Sequence, residues 1–217
     1  MITWLKYDSV SKKLWIAEIN KTVMIWQMGK GVIQKITTLS PVVDFDFHGD
    51  TTYFTEIGNL DPTELYLGSF VQYYKNTQTT LISPLHRPVH GEVCDLDNDG
   101  IPEIVIANFG NKLGSFLIYK KNRLTNKYDE QVLLPMPGVE KFYIRDMNGD
   151  GKKDIVALFA QGDESVYIFY QKENLEFNAK RVLRFPPDYG STDFVLVDYN
   201  HDGHPDIVTA QGDNADF

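Results

Sequence analysis

Short apolar, β-branched runs separated by polar turns recur along the whole chain, and no stretch carries the periodicity of a long helix. Runs at 4–7, 14–17, 22–27 and 32–37 predict four strands in a first unit. A second unit shows runs at 53–56, 65–67, 70–74 and 79–82, and a third at 91–95, 103–107, 115–120 and 131–134. A fourth has runs at 142–145, 155–158, 166–170 and 181–183, and a fifth begins with 194–197 and 207–209. Pro41, Pro88, Pro137 and Pro187 follow the last run of each unit, at spacings of 47, 49 and 50. Proline cannot donate to a strand ladder, so it suits these junctions. The units therefore span about 1–40, 41–87, 88–136, 137–186 and 187–217.

Four short antiparallel strands per repeat of roughly 50 residues is the arithmetic of an all-β propeller with four-stranded blades. Each blade buries its faces against its neighbours and cannot stand alone. The fifth unit shows two strands only, and a blade short of strands leaves edges open to pairing. The expected architecture is thus an incomplete propeller, a fragment of a larger one with further blades or an attached domain.

The polar turns are not uniform. Asp95-Leu96-Asp97-Asn98-Asp99-Gly100-Ile101-Pro102-Glu103 places carboxylates at turn positions 1, 3, 5 and 9, with glycine at 6. The same plan recurs at 146–154 and 198–206, with Asn148 and Asn200 at position 3, and the three turns start 51 and 52 residues apart. A hard cation such as Ca²⁺ takes about six to eight oxygens at about 2.3–2.6 Å, and alternate residues of a tight turn can point inward together. The carbonyl of Ile101 at position 7 would add an oxygen. An EF-hand needs a glutamate at position 12 and flanking helices. Position 12 is Ile106, Ala157 and Thr209 in the three turns, and strand-like runs follow each. An ordinary Asp/Asn/Gly turn is the competing reading of any single loop; three in one register weigh against it.

Two other turns depart from the plan. Residues 8–13 lack the acidic pattern, and no metal is expected there. With Phe45 matched to Leu96, Met147 and Tyr199, the stretch 44–52 keeps Asp44 and Asp46 but carries His48 at position 5 and Thr52 at position 9. That site is expected to be vacant or weak, since hard cations prefer oxygen.

The Asp-x-Asp/Asn-x-Asp-Gly-x-x-Asp/Glu turns followed by Ile-Val runs resemble the FG-GAP/VCBS repeats of integrin α-subunit-like propellers and of many bacterial surface proteins. The resemblance covers 88–217 well and 1–87 weakly. The Gly-Ala-Pro of the family is replaced by Ala107-Asn108-Phe109, Leu158-Phe159-Ala160 and Ala210-Gln211-Gly212, so the chain is similar to the divergent bacterial branch. The resemblance implies Ca²⁺ between the first and second strands of a blade, at about three sites. Its ligands would be Asp95, Asp97, Asp99 and Glu103 with Ile101; Asp146, Asn148, Asp150 and Asp154 with Lys152; and Asp198, Asn200, Asp202 and Asp206 with His204. The extra carboxylate of the first loop predicts that it binds most tightly.

Charge agrees with that picture. The net charge is −9, and three divalent cations would bring it to about −3. No clustered Lys/Arg surface suggests nucleic acid, no apolar run approaches the ~20 residues of a membrane span, and residues 1–8 lack a signal-peptide plan. Cys94, the only cysteine, reads as a buried structural thiol. His86 and His90 cannot form a helical metal motif because Pro88 lies between them.

The expected function is a non-catalytic, calcium-stabilised binding or adhesion scaffold at an extracellular, periplasmic or cell-surface location, with a protein or glycan partner. The connections at 109–111, 161–163 and 211–213, on the face away from the acidic loops, are the candidate ligand surface. The alternative is a carbohydrate-binding or accessory domain of a polysaccharide-active enzyme. Trp4, Trp15 and Trp26 would be its platform, although their strand positions favour core packing.

Overall fold

The computed structural model describes residues 1–162 and 164–212. Its first sheet is β1 (Ile2–Asp8), β2 (Lys13–Glu18), β3 (Thr22–Gln27) and β4 (Gly31–Thr37). The second is β5 (Val42–His48), β6 (Thr51–Glu56), β7 (Gly68–Tyr74) and β8 (Thr77–Leu85). The third is β9 (Pro88–Cys94), β10 (Glu103–Asn108), β11 (Ser115–Lys121) and β12 (Tyr128–Leu134). The fourth is β13 (Val139–Arg145), β14 (Asp154–Phe159), β15 (Ser165–Gln171) and β16 (Phe177–Arg184). Each pairs in sequence order, all antiparallel, and β17 (Ser191–Val197) with β18 (Asp206–Gln211) form a fifth, two-stranded sheet.

In the third and fourth sheets burial peaks in the second strand and is lowest in the fourth, and this sets the layering. The second strands β10 (EIVIAN) and β14 (DIVALF) are buried at every residue. The fourth strands β12 and β16 have no fully buried residue. First strands of successive sheets lie beside one another, so the sheets radiate from a shared inner edge. A separate core fills each gap between neighbours. Trp15 and Val23 meet Phe45 and Phe54 between the first two sheets. Phe70 and Ile82 meet Ile104 and Ile106 in the next gap. Phe116 and Val105 meet Phe142 and Ile155 in the third, and Val156 and Ile168 meet Phe194 in the last. A carbonyl at each junction is used alike: Pro41, Arg87, Gly138 and Gly190 accept the N–H of Ile57, Phe109, Ala160 and Gly212, at 2.8–3.1 Å. This is a partial set of propeller blades. Val208 of β18 is 46% exposed, whereas Val156 at the matching place in the fourth sheet is fully buried, because the last sheet has one face uncovered among the described residues.

The structure corrects several readings of the sequence. The stretch 44–52 is a tight hairpin in which β5 continues to His48 and β6 starts at Thr51, with Gly49 at φ +57° in the turn. Asp44 and Asp46 therefore lie within a strand, and the register inferred from Phe45 does not hold. Asp44 is buried against Lys6 and His90, and Asp46 accepts from the Val93 N–H and pairs with His48. The run 65–67 is not a strand; its three side chains are exposed in the connection before β7. Trp15 is a core residue as expected, but Trp4 and Trp26 are 44% and 37% exposed. Cys94 is half-buried, and burial pushes its thiol up, away from nucleophilic character.

Candidate metal loops

The three acidic stretches all fall between the first and second strands of their sheets, and they share one hydrogen-bond plan. The position-6 glycines sit at φ +83°, +83° and +88°, a conformation that L side chains rarely adopt. Their N–H groups donate to the position-1 carboxylates Asp95, Asp146 and Asp198 at 3.0, 2.8 and 3.0 Å. The position-5 N–H donates to position 3, onto Asp97, Asn148 and Asn200 at 3.3, 2.9 and 2.9 Å. The N–H groups of Ile101, Lys152 and His204 donate to Asp99, Asp150 and Asp202 at 2.8, 2.9 and 2.8 Å. Finally, Glu103, Asp154 and Asp206 at position 9 accept from the N–H of Leu96, Met147 and Tyr199, each at 2.9 Å. Each loop residue nominated from sequence therefore occupies its expected place. In most of these carboxylates both oxygens already accept a hydrogen bond or face a lysine, so a cation would have to share or displace those contacts.

Electrostatics split the acids into two groups. The N–H groups of Ile101, Gly151 and His204 hold Asp99, Asp146 and Asp202 below the usual carboxylate range. Glu103 and Asp154 are fully buried, and that burial pushes both up. A cation beside them would reverse the penalty.

The first loop has the most complete acidic cluster. Asp95, Asp97 and Asp99 each bring a carboxylate oxygen within 4.8 Å of the others. Two oxygens on opposite sides of Ca²⁺, each at about 2.4 Å, stand about 4.8 Å apart, so this spacing suits a shared cation. Buried Glu103 adds an Oε1 with no hydrogen-bond partner. The donor set is all oxygen and fits a hard divalent ion.

Sequence reasoning missed the positive charges around this loop. Lys120 Nζ on β11 lies 2.5 Å from Asp97 Oδ2, 3.3 Å from Asp99 Oδ2 and 3.6 Å from Glu103 Oε1. Arg123 Nη2 is 3.6 Å from Asp99 Oδ2. Lys153, from the second loop, donates across the gap to the Asp95 carbonyl at 2.5 Å and to Asn98 Oδ1 at 2.9 Å. Among the described residues, the carboxylates of the second and third loops make no ion pair with Lys or Arg. There the neutral side chain at position 3 donates instead, Asn148 Nδ2 to Asp150 at 3.2 Å and Asn200 Nδ2 to Asp202 at 2.9 Å.

On the far face, the connection at 109–111 is tied down. Arg87 Nη1 donates to the Gly110 carbonyl at 2.6 Å, and Asn111 Nδ2 donates to Glu64 at 2.7 Å. Asp163 and Asp213, also nominated for that face, lie outside the described residues. The inner edges of the sheets line a groove of about 610 Å³ bearing Trp4, Lys6, His90 and Glu92.

Fold and loops together define a propeller with acidic turns between the first two strands of successive blades. The chain belongs to the FG-GAP-like repeat family, whose model matches residues 95–157 and again 146–209, together more than half of the chain. No curated protein matches it. Among solved structures it resembles the propeller of Dos1, with a TM-score of 0.56 at 12% identity over 85% of this chain and 47% of that one. It also resembles the β-propeller domain of Cps50 (Swd1) from Myceliophteria thermophila, with a TM-score of 0.57 at 12% identity over 90% of this chain and 58% of that one. The chain thus spans about half the length of these propellers, and the likeness is one of fold.

Proposed function

We propose that the chain is a non-catalytic propeller scaffold whose acidic turns bind Ca²⁺ and which presents its loops to a protein or glycan partner at an extracellular, periplasmic or cell-surface location. The observation that carries this reading is the hydrogen-bond plan that the three turns share, together with the convergence of Asp95, Asp97 and Asp99 in the first. Asp95, Asp97, Asp99 and Glu103 would hold the ion in the first loop. Asp146, Asn148, Asp150 and Asp154 would do so in the second, and Asp198, Asn200, Asp202 and Asp206 in the third. The bound ion would supply positive charge beside buried Asp154, which no lysine or arginine pairs with among the described residues, and beside buried Glu103, where Lys120 now stands. Calcium is abundant outside cells, which suits loops of this type. Thermal melts of chelator-stripped protein, with and without Ca²⁺, test the reading. A higher melting temperature with Ca²⁺ supports it, and superimposable melts contradict it.

One observation favours a second reading, carbohydrate recognition. Trp4 is 44% exposed and lines the inner groove beside polar side chains, an arrangement that suits stacking against a sugar. A glycan array with wild type and Trp4→Ala distinguishes the two: glycan binding lost in the variant supports it, and no binding leaves the scaffold reading alone.

A further inference from the structure

The carboxylates of the 95–103 loop already surround a positive charge, and that charge belongs to the chain. Lys120 lies on the third strand of its sheet, and its ammonium reaches Asp97 Oδ2 at 2.5 Å, Asp99 Oδ2 at 3.3 Å and Glu103 Oε1 at 3.6 Å. These are the outward oxygens a divalent ion would use. The inner oxygens of Asp99 and Glu103 are held by the N–H groups of Ile101 and Leu96. The second, independent observation is Glu103 itself. Its side chain is fully buried, and Oε1 has no hydrogen-bond partner among the described residues. A buried carboxylate oxygen left this way is costly unless a cation stands near it.

The arrangement is particular to this loop. Strand pairing sets Tyr119 opposite Ile104 in the third sheet and Phe169 opposite Ile155 in the fourth, so the place of Lys120 is taken by Tyr170. A tyrosine brings no positive charge to the second loop.

We propose that Lys120 is a tethered counter-ion that closes the 95–103 loop and competes with divalent cations for it, making the loop richest in carboxylates the weakest metal site of the three. The inference rests on the calcium reading given above and reverses the affinity order expected from carboxylate count. A tethered ammonium acts at high effective concentration, and metal must wait for the open state. Apparent affinity falls by the fraction of time the loop is open, so a latch shut nine-tenths of the time weakens binding about tenfold. The Lys120 side chain is 39% exposed, so its head can swing into water when metal enters. In the absence of metal, the same contact keeps the loop ordered.

Titration calorimetry with CaCl₂ on chelator-stripped wild type, Lys120→Met and Lys120→Tyr tests this, with melting curves at each end. The tyrosine variant copies the residue that the fourth sheet tolerates at this place, so it guards against a misfolded methionine variant. The latch predicts two tighter sites and one about tenfold weaker in wild type. In both variants the weak site strengthens about tenfold, the metal-free melt falls, and the gain in melting temperature with Ca²⁺ grows. Three equal sites in wild type, unchanged in the variants, overturn the latch and leave the calcium reading standing. No binding in any of the proteins overturns both.

Discussion

In the 95–103 turn the second inward-facing side chain is Asp97; in the 146–154 turn it is Asn148. The backbone does the same thing in both, yet the two turns balance their charge by different means. Asn148 carries its own donor and spends it on Asp150 at 3.2 Å. Asp97 has only acceptors, and Lys120 reaches in from another strand to supply the positive charge. The innermost acids differ too. Asp154 is short and takes two backbone N–H groups, Met147 on one oxygen and Gln171 on the other, both at 2.9 Å. Glu103 is one methylene longer, takes only the Leu96 N–H at 2.9 Å, and turns its other oxygen toward the lysine. Asp154 is thus bound mainly into the protein, whereas Glu103 is still available to a cation. One turn plan can carry quite different affinities, and counting carboxylates misjudges them.

The largest effect belongs to Asp154→Ala. It orphans the buried Gln171 N–H, at about 1–3 kcal/mol, and the part-buried Met147 N–H as well, whereas Glu103→Ala orphans only that of Leu96. Urea melts in chelator should show the greater loss for Asp154→Ala; equal or reversed losses would break the comparison. Next is metal itself. Calcium at a hundredfold excess over Kd stabilises by about 2.7 kcal/mol for each filled site. Asp150→Ala should remove one such increment from the calcium-dependent shift, and Asp97→Ala a smaller one because that loop starts latched. Lys153→Met, which cuts the hydrogen bonds from the second loop to Asp95 and Asn98, should lower metal-free stability by about 1–2 kcal/mol. The smallest effect should come from Arg123→Ala. Its side chain is 64% exposed and its pair with Asp99 is a surface contact, so the melting temperature should stay within scatter. A large drop there would mean that Arg123, not Lys120, is the charge that closes the loop.

The blade period was legible because it is written twice, once in the β-branched runs and once in the acidic turns. The second blade was misread because Asp44-Phe45-Asp46 imitates the start of an acidic turn, while the real turn is set by Gly49 and leaves both acids inside β5. Leu65, Tyr66 and Leu67 read as a strand by composition, yet lie exposed in a connection, since apolar character alone does not provide a pairing partner. Which face of a first or third strand Trp4 and Trp26 would take depends on the neighbours of the first sheet, and local sequence does not carry that. Lys120 was invisible for a related reason: it lies 17 residues beyond Glu103 and acts through strand pairing. Aligning the third and fourth units, which sets Lys120 against Tyr170, was the one signal that could have found it.

Anomalous scattering from crystals grown with Ca²⁺, or with a lanthanide in its place, is the most direct test that the turns are cation sites. The account predicts strong peaks within 146–154 and 198–206, and a weaker one within 95–103 that strengthens in Lys120→Met. The absence of a peak at all three turns would contradict it.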